Sequence, residues 1–273
     1  MSLTAYDHIY LSPHYDDAAL SCGGAIHQQQ ATDQAVLVLT ICAAASPPDT
    51  PLSPFAQQMH DGWATPGDVV AIRRAEDKAA MEILGVDYQL LDFTDCIYRG
   101  LPEEKIWYYN SNTDLFSQIH PTDLGLKHEL SQTIARFIST DAIIYAPLAV
   151  GHHVDHQLTH AAGLELRQQG YQVVFYEDYP YSDPNYPFTR APLEIETKHT
   201  LAATLVGRQD LLQPEQRVLS PADLQAKLDS VRAYTSQMSM LFGGEAAMEE
   251  YITTYALTVG QGQPAERIWL LTD

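Results

Sequence analysis

The chain has 273 residues, 45% hydrophobic and 18% charged, and 35 acidic against 15 basic side chains give a formal net charge of −20. That length buries a sizeable core in one α/β domain or two small ones. The acidic excess excludes the basic footprint that a nucleic-acid partner or an anionic membrane surface requires.

Three widely spaced cysteines, Cys22, Cys42 and Cys96, form no C-x-x-C pair and no disulfide framework, which suits a reducing compartment. The first residues lack the basic-then-apolar pattern of a secretory leader, and no apolar run nears the roughly 20 residues of a membrane helix. A cytoplasmic protein without membrane insertion is expected.

In chain order, His8–Leu11 is a short apolar run that reads as a buried strand. It turns through Ser12-Pro13, delivers His14, Asp16 and Asp17, and passes into the small-residue run Ala18–Gly24, the opening of a closely packed helix. Ala35–Ile41 is a second strand, apolar throughout as in sheets buried on both faces. Ala43–Gly67 holds five prolines (Pro47, Pro48, Pro51, Pro54, Pro66) and no periodicity, so a long loop over a pocket is expected. Val69–Leu84 has helical spacing with Gly85 as its stop. Tyr88–Phe93 is a third strand, Thr94–Gly125 a second irregular stretch, and Leu126–Ser139 a helix.

Ala142–Leu148 makes a fourth strand and runs into Gly151-His152-His153-Val154-Asp155-His156. A helix over Asp155–Gln169, a strand over Gln172–Tyr176 and the polar segment Glu177–Tyr181 follow. Thr200–Val206 reads as a further strand outside the parallel series. Pro221–Leu241 and Glu245–Ala256 read as helices, and Arg267–Leu271 as a closing strand. The alternation predicts an α/β fold, a Rossmann-like, mostly parallel sheet with helices on both faces. Residues 1–273 form a single domain in this reading, with the pattern weakest after about residue 200.

Two His/Asp clusters at strand ends carry the chemistry. Ligands collect beyond the carboxyl ends of strands in open α/β sheets, and Asp residues there can also simply cap a helix. His14, Asp17 and one of His153, His156 and His160 would make a set of two histidines and one carboxylate. Such a set leaves a position for water, as in a catalytic zinc site. A metal there lowers the pKa of bound water from 15.7 to about 7, and Asp16 can serve as general base.

The run Pro13-His14-Tyr15-Asp16-Asp17 with Leu20 and Gly23-Gly24 resembles the first signature of the LmbE-like/PIG-L family of zinc-dependent sugar de-N-acetylases. Gly151–His156 resembles its second motif, and Arg73-Arg74-Ala75-Glu76 with Ala80 and Leu84-Gly85 its intervening helix. The resemblance implies His14, Asp17 and His156 as metal ligands, Zn²⁺ (or Fe²⁺ on the same donors) as cofactor, and Asp16 as base. It further implies His153 as the residue that stabilises the tetrahedral intermediate or protonates the leaving amine, and Asp155 as the partner that orients a histidine. The implied reaction is removal of an N-acetyl group from an amino sugar or its conjugate. Tyr15 stands where the family has proline, and Ala18 where it most often has glutamate.

Arg73, Asp95, Arg99 and Asp178 are candidate contacts for a small amino-sugar substrate. Arg73 can equally pair with Glu76, and Arg99 can sit in a loop salt bridge. His152 leaves a second helical pairing with His156 open. The alternatives are a metal-dependent hydrolase of another amide or ester, favoured by Ala18 and the two long loops, and an idle sugar-binding protein. A homo-oligomer is compatible with the sequence, which fixes no oligomeric state.

Overall fold

The computed structural model describes residues 5–45, 50–63, 67–186 and 200–272. In chain order these hold β1 (His8–Ser12), α1 (Asp17–Gln30), β2 (Val36–Thr40), α2 (Pro54–Gly62), α3 (Val69–Leu84), β3 (Asp87–Leu90), β4 (Gly100–Leu101), β5 (Ile106–Trp107), α4 (Asn112–Leu115) and α5 (Leu126–Ile134). They continue through β6 (Ile143–Pro147), α6 (Val154–Gln168), β7 (Gln172–Tyr176), α7 (Leu201–Leu205), β8 (Leu212–Val218), α8 (Pro221–Arg232), α9 (Thr235–Phe242), α10 (Glu245–Val259) and β9 (Ala265–Leu271).

One seven-stranded sheet runs in the order β3-β2-β1-β6-β7-β9-β8. Its first five strands are parallel, while β9 lies antiparallel to both β7 and β8. β1 and β2 are buried at every position because helices cover both faces. The strand period of two divides their side chains. Ile9, Leu11, Leu37, Leu39 and Ile144 pack with Leu130, Ile134, Ala162 and Leu166 of α5 and α6. Tyr10, Val36, Val38 and Tyr145 belong to the other core, with Ile26, Met81, Leu228 and Ile252 from α1, α3, α8 and α10. The chain builds outward from β1 through β2 to β3, then returns to β1's other side for β6. The β1/β6 boundary is therefore the topological switch point, where such sheets open a crevice.

The small residues of α1 have a definite cause. A Cβ on Gly24 would meet Leu219 Cδ1 at 2.5 Å, and one on Gly23 would meet Lys227 Cγ at 3.2 Å. The close approach is thus to α8 and the turn before it, beyond the packing on the sheet. Among the described residues no helix is long and apolar enough to cross a membrane.

Several expectations are corrected. Thr200–Val206 is the helix α7 rather than a strand: Thr200 Oγ1 accepts the Ala203 N–H, and this cap outweighs the local strand propensity. The strand of that region is β8, an edge strand with Pro214 inside it, whose polar sequence gives no strand signal. The helix expected over Pro221–Leu241 breaks at Tyr234 (φ −84°, ψ 64°), whose hydroxyl reaches Asp77 Oδ1 at 2.7 Å. Within the expected loop Ala43–Gly67 lies α2, capped by Ser53 with Pro54 in its first turn. Pro47, Pro48 and Pro66 lie outside the described residues, as do residues 1–4. The second irregular stretch holds the β4–β5 hairpin and α4. Phe55, Met59 and Trp63 pack with Ile97, Tyr109 and Phe116, so the two stretches form one apolar roof.

Candidate active site

β1 and β6 deliver the two clusters to the same corner. After β1, the His14 N–H donates to Asp17 Oδ2 at 2.8 Å, and His14 Nδ1 lies 3.2 Å from the same oxygen. Asp16 begins α1 without a side-chain cap, so helix capping does not account for it. After β6 the backbone makes a tight left-handed turn at Ala149 (φ 63°), Gly151 (φ 82°) and His152 (φ 66°). A Cβ on Gly151 would meet Tyr181 Cγ at 2.6 Å, which explains the glycine. The turn sets His153 at the N-cap of α6, its Nδ1 accepting the Asp155 N–H at 3.2 Å.

His156 Nε2 lies 3.3 Å from Asp17 Oδ2, is buried, and makes no hydrogen bond. The far nitrogen of each histidine is held by a carboxylate: His14 Nε2 sits 3.1 Å from Asp155 Oδ2, and His156 Nδ1 sits 2.6 Å from Asp178 Oδ1. A carboxylate only accepts, so these far nitrogens carry hydrogens, and on binding an ion His14 Nδ1 and His156 Nε2 would be the atoms left to offer lone pairs beside Asp17. Imidazoles whose far nitrogen is held by a carboxylate are the usual arrangement of histidines that bind a metal. Nitrogen donors of His14, His153 and His156 also lie within 4.8 Å of one another. The donor set fits a divalent ion.

Electrostatics separate the adjacent carboxylates. Burial, with Asp17 as a like-charged neighbour, raises Asp16 above the usual carboxylate range. Burial also works to raise Asp17, but His156 and His14 outweigh it and hold Asp17 well below that range. Burial disfavours a charged His156, yet Asp17 and Asp178 bring it up to about 9. Burial, then the neighbouring His14, lowers His153 well below the ordinary imidazole value, so it stays neutral. Neighbouring carboxyls pushed apart in this way suit separate acid/base and ligand roles.

An open pocket of about 650 Å³, its mouth included, leads to this corner. His14, Asp16, Asp17, Arg73, Asp95 and His153 line its floor, and Met59, Trp63, Phe116, Tyr181 and Met240 are among its wall residues. The Arg73 guanidinium lies 4.6 Å from the Trp63 ring centroid, 5.1 Å from that of Tyr15, and 3.9 Å from Asp16 Oδ1. Tyr15 thus gives Arg73 a face that proline would not. Glu76, the expected partner of Arg73, instead accepts from Thr235 and Ser236 and docks α9 onto α3.

Two expected substrate contacts are corrected. Arg99 is buried in ion pairs with Asp155 and Asp123, and Asp178 is 1% exposed with its oxygens on His156 and Val150. Neither lines the pocket. His152 turns its Nδ1 to Gln157 Nε2, and His160 Nδ1 lies 2.9 Å from the Pro147 carbonyl oxygen, so neither joins His156. Sequence reasoning missed Trp63, Phe116, Gln237 and Met240 as pocket residues. A tryptophan in a proline-rich loop was a usable signal.

The fold and site define a Rossmann-like α/β protein with a candidate metal centre at its switch point. Residues 9–166 match the family described as PIG-L, GlcNAc-PI de-N-acetylase, and the chain belongs to that family. It is 31% identical over 192 residues to a 2'-N-acetylparomamine deacetylase of Niallia circulans, covering 63% of this chain and 66% of that one. It is 29% identical over 187 residues to the enzyme of the same name from Streptomyces fradiae, covering 64% and 57%. The matches therefore span less than two-thirds of either relative. The solved structure of teicoplanin deacetylase Orf2 in its zinc-inhibited form superposes with a TM-score of 0.74 at 27% identity, over 97% of this chain and 98% of that one.

Proposed function

We propose that this protein is a metal-dependent amide hydrolase that removes the acetyl group from an N-acetylated amino sugar carried on a larger conjugate. The observation that carries the reading is the convergence of His14 Nδ1 and His156 Nε2 on Asp17 Oδ2, with His156 Nε2 buried and without a hydrogen bond. Relatives named as deacetylases of 2'-N-acetylparomamine and teicoplanin support an acetamide as the bond broken. Zinc suits two imidazoles and a carboxylate, and ferrous iron suits them too. Free, buried cysteines fit a reducing, cytoplasmic setting.

His14, Asp17 and His156 would hold the ion, which when bound supplies Lewis acidity that activates water near neutral pH and polarises the acyl oxygen. Asp16 accepts the proton of the attacking water, its carboxyl lifted toward working pH by burial beside Asp17. His153 is neutral, with Nδ1 occupied by the Asp155 N–H, so Nε2 carries the hydrogen and donates to the developing oxyanion. Arg73 and Asp95 offer a donor and an acceptor to sugar hydroxyls, while Asp155 and Asp178 orient the ligand histidines.

Metal-stripped protein reloaded with stoichiometric zinc should release acetate from an N-acetylglucosamine conjugate. Asp16→Asn should lose about 10²–10⁴-fold in turnover with its metal retained, and His14→Ala should lose the metal. Stoichiometric metal without turnover on any N-acyl amine refutes the proposal.

A further inference from the structure

The second irregular stretch sends one cation beneath the pocket rather than into it. Arg99 is 8% exposed, and its guanidinium lies 5.2 Å from the Tyr109 ring centroid. Its Nη2 donates to Asp155 Oδ1, and its Nε lies 3.1 Å from Asp123 Oδ2. Asp123 Oδ2 also accepts from the Tyr109 hydroxyl at 2.8 Å, and that hydroxyl accepts the His120 N–H at 2.9 Å. Asp155 turns its second oxygen the other way: Oδ2 accepts the Cys96 N–H at 3.0 Å and meets His14 Nε2 at 3.1 Å. A buried path therefore runs from Tyr109 through Asp123, Arg99 and Asp155 to His14.

A carboxylate torsion is soft by itself, and a lone buried carboxylate is costly to keep. Asp155 is 1% exposed, yet it must present an ionised oxygen to one particular ring nitrogen. The planar fork of an arginine meets both needs, because it supplies charge and direction together. We infer that Arg99 is a positioning residue for the metal ligand: by clamping Asp155 through Oδ1 it holds Oδ2 on His14 Nε2, and so keeps His14 Nδ1 aimed at Asp17. This rests on the proposed ligand set of His14, Asp17 and His156. Arg99 does not line the pocket, so its influence on the reaction passes entirely through Asp155.

The test measures zinc affinity by competition with a chromogenic chelator, alongside circular dichroism to establish folding. Arg99→Met should weaken zinc binding by about 10–100-fold, the range seen when the residue behind a metal ligand is lost. Arg99→Lys, which keeps charge without the fork, should recover part of that loss. Asp123→Asn leaves the Arg99–Asp155 contact in place and should weaken binding less than Arg99→Met. If Arg99→Met fails to fold, Arg99→Lys carries the test, with weaker zinc binding at native secondary structure expected. A folded Arg99 variant that holds zinc as tightly as the native chain overturns the inference. A native chain that binds no stoichiometric zinc instead overturns the proposed function, so the two failures are distinguishable.

Discussion

Asp178 has two acceptor oxygens facing two donors, and Asp178→Asn removes one acceptor. Its Oδ1 is 2.6 Å from His156 Nδ1, and its Oδ2 accepts the Val150 N–H at 3.0 Å. If the amide oxygen stays on His156, the new NH₂ faces the Val150 N–H. That leaves a buried donor unmet, at a cost of about 1–3 kcal/mol. If the amide flips, NH₂ donates to His156 Nδ1 and holds the ring hydrogen on Nε2, the atom that would meet the metal. The first arrangement appears as lost stability, the second as lost metal affinity. A loss of about 10–100-fold in zinc affinity is expected, equal to about 1.4–2.7 kcal/mol. Zinc titration against a competing chelator reads the affinity, and thermal unfolding with and without metal reads the stability. A folded Asp178→Asn protein with native zinc affinity and native stability would refute the reasoning.

Other outcomes follow from the same geometry. In metal-free protein His156 is raised to about 9, above the unfolded imidazole's value of about 6.5. Its stabilising contribution is fully present below about pH 6.5 and is lost as pH rises through about 9. Chelator-treated protein should therefore fall in Tm across that window, and a flat profile would contradict the assignment. Gly151→Ala adds a Cβ at φ 82° and 2.6 Å from Tyr181 Cγ. It should cost at least about 1–2 kcal/mol and displace the turn before His153, lowering both Tm and acetate release; unchanged values of both would exclude it. Lys227→Met leaves Glu266, buried and 2.6 Å from the lysine Nζ, without its cation. A loss of about 3–5 kcal/mol in denaturant unfolding is expected, and an unaltered midpoint would argue against a paired buried charge.

The sequence by itself determined the parts that are local. His14, Asp16 and Asp17 fall within four positions of a strand-to-helix turn, so their meeting needs no distant partner. The buried strands β1, β2, β6 and β7 are legible because covering both faces of a sheet demands continuous apolar runs. Tertiary structure alone decided which side chain answers which. His14 finds Asp155 141 positions away, Arg99 finds Asp155 56 positions away, and His156 finds Asp178 rather than His152 or His160. The periodicity of a segment fixes which of its faces is buried, but carries no information about what that face will meet. The same limit hid the apolar pocket wall from α2 and α9 and the polar edge strand β8. Arg99 and Asp178 read in sequence equally as sugar contacts or as ordinary loop charges; folding committed them to hold the residues that would hold the metal.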